Sequence, residues 1–215
     1  NKAECMLSVL INTNLCRSSL ENNVKKYFFS SSACVYNASK QKDVFIDGLK
    51  ESDAYPADPE DGYGWEKLFS ERMCRHFSED FGLDTRVVRY HNVYGPYGTY
   101  DGGREKAPAA ICRKIINAKL SKNDSIDVWG DGNQTRSFLY IDDCIEGTLE
   151  VFNSEKKEIY NVGSDEQVSI NQLVEIAEKI ANYKVKRNYQ LDKPKGVRGR
   201  NSNNQKIISE IGWQP

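Results

Sequence analysis

Apolar residues recur at helical spacing over residues 63–80, where Trp65, Leu68, Phe69, Met73 and Phe77 share one side of a 3.6-residue repeat. Phe81 and Gly82 follow, and a glycine just past the last periodic residue predicts a helix stop. On either side stand short runs of another kind. Residues 25–32, Lys-Lys-Tyr-Phe-Phe-Ser-Ser-Ser, pass from aromatics into small polar residues, and Thr85 to Tyr90 is a short β-branched run; both predict strands. Strand, long helix and strand in succession make a βαβ unit with a right-handed crossover, and therefore a parallel sheet. A weaker helical repeat runs through Met6, Leu7, Leu10 and Leu15 over residues 3–23 and ends in the polar Glu21-Asn22-Asn23. Beyond Pro108 the pattern changes. Helices near 108–118, 142–153 and 169–181 alternate with strands near 126–129, 136–140, 158–162 and 184–190, which predicts a smaller α/β lobe sharing surface with the first.

Composition narrows the field mainly by exclusion. The chain has 215 residues, 39% hydrophobic and 28% charged, which fits one globular domain or one and a half. A formal net charge of −1 points to neither nucleic acid nor a membrane surface. The longest early apolar stretch, Met6 to Ile11, is broken by Ser8 and lacks the basic start of a signal peptide. No apolar run approaches the roughly 20 residues a bilayer requires. The cysteines, at 5, 16, 34, 74, 112 and 144, form no C-x-x-C pair. They fit no zinc or disulfide framework, so no metal is expected and a reducing, cytoplasmic setting fits best. The sequons at Asn37, Asn123 and Asn133 then read as chance matches.

No glycine precedes Gly48. A dinucleotide-binding half needs a glycine-rich first turn, because only glycine lets backbone approach the pyrophosphate and start the next helix tightly. The expectation is that the chain begins partway through a doubly wound domain, with that turn upstream, and that alone it binds a dinucleotide weakly.

Tyr63 and Lys67 lie one helical turn apart, on one face at the start of the long helix. An ammonium beside a phenol favours phenolate, and a phenol so tuned can exchange a proton with a sugar hydroxyl. Ser30-Ser31-Ser32-Ala33-Cys34-Val35-Tyr36 ends the preceding strand. Carboxyl ends of parallel strands are where open α/β folds place ligands, and Ser32 can hydrogen-bond the same reacting oxygen as Tyr63.

In order along the chain, the Ser-Ser-Ala-x-Val-Tyr stretch, then Y-x-x-x-K, then the run Arg89-Tyr90-His91-Asn92-Val93-Tyr94-Gly95-Pro96 resemble the extended short-chain dehydrogenase/reductase family, the NAD-dependent epimerases and dehydratases. The resemblance runs from about residue 25 to the C-terminus. It implies an α/β fold: a partial Rossmann-like doubly wound parallel sheet with a smaller C-terminal α/β substrate lobe. Residues 1–107 would be part of the NAD-binding domain and 108–215 mainly the substrate lobe. It further implies Ser32, Tyr63 and Lys67 as a catalytic triad, with Tyr63 and Lys67 touching NAD.

Ala33-Cys34 stands where the family's dehydratases carry an acidic pair. Residues 102–110, Gly-Gly-Arg-Glu-Lys-Ala-Pro-Ala-Ala, are similar to a branch that inverts two centres of a GDP-sugar with a cysteine and a lysine as acid/base pair. Residues 129–138 and 196–202 match that branch too. Those roles fall on Cys34 and Lys106, and a thiol beside a positive lysine would be partly thiolate. Oxidising C4 acidifies the protons on C3 and C5, so inversion needs a base on one face of the ring and an acid on the other. The resemblance also implies substrate contacts from Ser32, Ala33, Cys34, Asn92, Glu105, Lys106, Ala107, Lys114, Gln134, Thr135, Arg136 and either Arg198 or Arg200. The partners implied are a GDP-sugar and a second copy of the chain, docked through residues 3–23 and 63–80. A 4-epimerase, a dehydratase, or a binding remnant without turnover are the competing readings.

Overall fold

The computed structural model describes residues 2–194 and 196–215, except the side chain of Lys2. Helix α1 (Lys2–Glu21) leads to strand β1 (Tyr27–Ser32). Three short 3₁₀ turns, 33–35, 38–41 and 51–54, carry the chain to α2 (Gly62–Phe81). Asp61 caps the start of α2 by accepting from Gly64 N at 2.9 Å, and Gly82 ends it with φ of 74°, a left-handed conformation that glycine adopts freely. Strand β2 (Thr85–Tyr90) follows. β1 and β2 pair in parallel from Tyr27 opposite Thr85 to Ser32 opposite Tyr90, as the βαβ pattern predicts.

Strand β3 (Val93–Tyr94), α3 (Ala107–Ser121), β4 (Ser125–Trp129), β5 (Thr135–Arg136), β6 (Leu139–Tyr140) and α4 (Ile141–Asn153) come next. Strand β7 (Ile159–Val162) returns to pair with β2, so the main described sheet runs β1-β2-β7, all parallel. Strand β8 (Val168–Ser169), α5 (Ile170–Ala181), β9 (Lys186–Gln190), β10 (Gly199–Arg200) and α6 (Gln205–Ile211) complete the described chain. β4 pairs with β9, β3 with β6, and β5 lies between β10 and β8. The strand expected over 136–140 is two pieces: β5 joins β10 and β8, and after Ser137-Phe138 β6 joins β3. The chain changes partners there, which no local pattern encodes. The seven-residue α6 was not expected at all; it is too short to show a period.

Strand β2 is covered on both faces. Val87 packs with Cys16, Phe29, Cys74 and Leu83 under the α1–α2 pair, while Val88 packs with Tyr160, Val162, Ile207 and Trp213. Burying each such side chain fully contributes about 1.5–3 kcal/mol. A separate core of Ile111, Ile115, Ile126, Val128 and Val174 joins α3, α5, β4 and the residues around them. Among the described residues no helix is long and apolar enough to cross a membrane.

Only part of the apolar stripe that predicts α2 is buried: Leu68 is inside, and Met73 and Phe77 pack against the core. Trp65 and Phe69 are 42% and 53% exposed, whereas Gly64, Glu66, Leu68, Ser70, Glu71 and Cys74 are buried. The two buried carboxylates have partners. Glu66 accepts from Asn12 of α1 at 2.5 Å and from Ser70 at 3.0 Å; Glu71 accepts two bonds from Arg89 at 2.9 and 2.7 Å, and one from Ser31. The apolar positions of α1 likewise face outward: Leu7, Leu10 and Ile11 are each about 60% exposed.

Candidate active site

Ser32 closes β1 and caps the 3₁₀ turn that follows, its Oγ accepting from Cys34 N at 3.2 Å. The first turn of α2 seats against that turn. A Cβ on Gly64 would lie 2.2 Å from the Cys34 carbonyl oxygen and 2.8 Å from Pro59 Cβ, so only glycine fits. This approach sets Tyr63 beside Ser32 and Cys34. Burial raises the Tyr63 phenol above its ordinary pKa; the hydrogen bond with Ser32 opposes the rise, and the charges of Cys34, Glu66 and Asp61 add to it. The sequence expectation ran the other way, with Lys67 lowering it. In the structure the Lys67 ammonium donates to the Ser30 carbonyl at 3.1 Å and lies over the rings of Phe29 and Tyr63, 4.8 and 5.6 Å from their centroids. Its charge meets the ring face of the phenol, and desolvation wins.

Cys34 is half-buried, and the cation on its sulfur is not Lys106. Arg200 Nη1 donates to Sγ at 3.4 Å. Arg136 is within electrostatic reach of Arg200, Cys34 and Glu60, and burial followed by repulsion from Arg200 lowers its guanidinium to about 10.

Beside this cluster opens a cavity of about 580 Å³. Of the residues expected to hold substrate, Asn92, Glu105, Lys106, Ala107, Lys114, Gln134 and Arg136 line it. Ser32, Ala33, Cys34, Thr135 and Arg198 do not. Thr135 is buried with its hydroxyl given to the Val44 carbonyl. Arg198 pairs with Asp131 at 2.9 Å, which leaves Arg200 as the arginine of residues 196–202 at the strand-end cluster.

The cavity groups are tied down. The Glu105 carboxylate accepts from Gly103 N at 2.7 Å and Arg113 at 2.6 Å; its own backbone N–H, against burial, and then Arg113 hold it below the usual range. Lys114 Nζ donates to the Asp127 carbonyl at 2.7 Å, and burial lowers its ammonium. Gln134 donates to the Trp129 carbonyl at 2.8 Å, while its buried Oε1 has no partner among the described residues. Asn92, with φ of 24°, donates to the Ser137 carbonyl at 3.1 Å. Arg113 was missed by sequence reasoning. It also donates to the Tyr100 carbonyl at 2.7 Å and so gathers the 100–105 loop.

A buried polar network lies under the strand ends. Arg89 also donates to the Glu51 carbonyl at 2.7 Å and stacks 5.1 Å from the Tyr36 ring centroid. Burial works against its charge, and Glu71 more than offsets that, holding the guanidinium up. Tyr36 donates to Asn161 Oδ1, and His91 Nε2 lies 3.3 Å from the same oxygen. Burial pushes the His91 ring down to about 3. The sequence signal for this network was charge within apolar elements: Glu71 in α2 and Arg89 in β2.

A parallel sheet ends a strand at Ser32, and the helix that follows brings Tyr63 and Lys67 beside it. The model of the NAD dependent epimerase/dehydratase family matches residues 3–163, and the chain belongs to that family. It is 46% identical over 210 residues to GDP-mannose 3,5-epimerase of Arabidopsis thaliana, and 47% identical over 208 residues to GDP-mannose 3,5-epimerase 1 of Oryza sativa subsp. indica. Both alignments cover 97% of this chain but 54% and 53% of the relatives, so the chain spans about half the length of the curated relatives it matches. Among solved structures, UDP-N-acetylglucosamine 4-epimerase from Methanobrevibacter ruminantium superposes with a TM-score of 0.83 at 25% identity, over 95% of this chain and 62% of that one. UDP-glucose 4-epimerase from Thermotoga maritima gives 0.88 at 24% identity, over 100% and 66%, and shares the fold.

Proposed function

We propose that this chain carries the catalytic and sugar-binding machinery of a GDP-mannose 3,5-epimerase, interconverting GDP-α-D-mannose and GDP-L-galactose with NAD. The observation that carries the reading is a thiol, Cys34, within reach of Tyr63 at the strand end. Simple 4-epimerisation needs no such second group, and the relatives nearly half identical to the chain are 3,5-epimerases.

Tyr63 and Lys67 would hold the nicotinamide end of NAD; the phenol, 39% exposed, and the ammonium at the strand end fit that position. The cofactor supplies a reversible hydride acceptor for C4. Tyr63, with Ser32 on the same oxygen, takes the C4 hydroxyl proton and later returns it. The resulting ketone acidifies C3 and C5, where Cys34 and Lys106 remove and deliver protons on opposite faces. Arg136 and Lys114 offer cations for the diphosphate, joined by Arg200. Asn92, Glu105 and Gln134 position the sugar nucleotide, and Ala33, Ala107 and Thr135 contribute backbone.

Residues 1–107 then serve mainly the cofactor and 108–215 mainly the sugar. The outward apolar positions of α1 and α2, with a cleft lined by Phe69, Met73, Phe77 and Phe81, support a homodimer joined through these helices. Six unpaired cysteines support a cytoplasmic setting.

The test uses NAD and GDP-mannose in heavy water. Cys34→Ala and Lys106→Ala each abolish deuterium uptake at C3 and C5 by NMR, while transient oxidation at C4 survives. Uptake persisting at both carbons in both variants removes the pair from the mechanism.

A further inference from the structure

The guanidinium that touches Cys34 is itself held in place. Gln41, 1% exposed at the end of the 38–41 turn, accepts from Arg200 Nε at 2.6 Å through its side-chain oxygen. Its amide nitrogen donates to the Tyr36 and Asn37 carbonyls at 3.3 Å each, which fixes which way the amide faces. Its backbone carbonyl accepts from Arg198 N at 2.9 Å. Gln41 thus joins the turns after β1, which carry Cys34, to β10, which carries Arg200. Arg136 stands beside Arg200, and the two guanidiniums repel. Without an acceptor on its Nε, Arg200 would turn away from Arg136 and lose the sulfur with it.

We propose that Gln41 is a positioning residue: it holds the Arg200 guanidinium against the Cys34 sulfur and so keeps a cation at the strand-end thiol. A cation beside a thiol is the general means of raising its thiolate fraction. The charged and titratable groups facing Cys34 are Arg200, Arg136 and Tyr63, with Glu60 facing Arg136. The catalytic meaning of this contact rests on the role proposed for Cys34; the contact itself does not.

The test needs neither NAD nor sugar. The chain and its Gln41→Leu and Arg200→Gln variants are treated with iodoacetamide from about pH 6 to about pH 9.5, and alkylation of Cys34 is followed by peptide mass spectrometry. Near pH 7 the Cys34 rate falls about three- to tenfold in both variants. It converges on the native rate at high pH, where every thiol ionises, and exposed Cys112 reacts at its native rate throughout. A merely structural role lowers the melting temperature and leaves Cys34 as fast as before, or faster. That result in Gln41→Leu overturns the proposal; if that variant does not fold, a native Cys34 rate in Arg200→Gln overturns it equally. Deuterium exchange surviving Cys34→Ala would instead sink the role of Cys34 in epimerisation while leaving the alkylation result standing.

Discussion

Ser32, Tyr63 and Lys67 sit on regular elements that follow one another in the chain, whereas the cavity beside them gathers Asn92, Glu105, Lys114, Gln134 and Arg136 from loops, a helix and a two-residue strand. At the strand end, backbone geometry does the positioning: a capped 3₁₀ turn, a glycine contact and one turn of helix. Few side-chain ties restrain Tyr63, and burial sets its proton affinity. In the cavity, side chains hold one another. Glu105 is clamped by Arg113, Lys114 by the Asp127 carbonyl and Gln134 by the Trp129 carbonyl. Substitutions at the strand end should therefore change chemistry and spare binding, and those in the cavity should change binding first.

Tyr63→Phe gives the sharpest separation. At saturating NAD, hydride transfer, followed by absorbance of the reduced cofactor, falls about 10³-fold, while the GDP-mannose Kd by calorimetry stays within about threefold. Equal losses of binding and turnover would erase the distinction between the halves. Arg89→Met, beneath the strand end, leaves Glu71 buried and unpaired and destabilises by about 3–5 kcal/mol in urea unfolding. A change below about 1 kcal/mol would mean that the network is not what fixes the strand ends. Arg113→Ala frees Glu105 and the 100–105 loop, and GDP-mannose binds about tenfold more weakly, as expected for losing hydrogen bonds between charged groups. Unchanged affinity would show that the clamp does not shape the cavity.

A further effect is a pH dependence from His91. Burial pushes its ring down to about 3 in the folded chain, below its unfolded value. Between the two values the unfolded chain binds a proton that the folded one does not. Stability is therefore full above the unfolded value of about 6.5 and is lost as pH falls toward about 3. In His91→Gln that slope decreases by up to about 1.4 kcal/mol per pH unit, read from urea midpoints at successive pH values. An unchanged slope would place the acid sensitivity elsewhere.

Much of the strand-end half was legible because it is local. Helical spacing put Tyr63 and Lys67 on one face, Gly82 marked the stop, and the run of serines marked the strand end. The inner face of α2 was not legible. Its apolar stripe predicts Trp65 and Phe69 as buried, yet Glu66 and Glu71 go inside, because a buried carboxylate depends on partners such as Asn12 and Arg89 elsewhere in the chain. A lysine was the cation expected beside Cys34, whereas the guanidinium on its sulfur is that of Arg200, brought there by the return of β10 beside β5.

The sequence by itself determined the longer elements, their order and the family, because periodicity, caps and glycine stops act over a few residues and need no distant partner. Only the tertiary structure decided which charges could be buried, which cation meets the thiol, where residues 135–140 change sheets, and that Tyr63 is raised rather than lowered. Each of these is an electrostatic or pairing balance between groups far apart in the chain. Desolvation and Coulomb terms of similar size oppose one another there, and their sum is fixed only when the fold sets the distances.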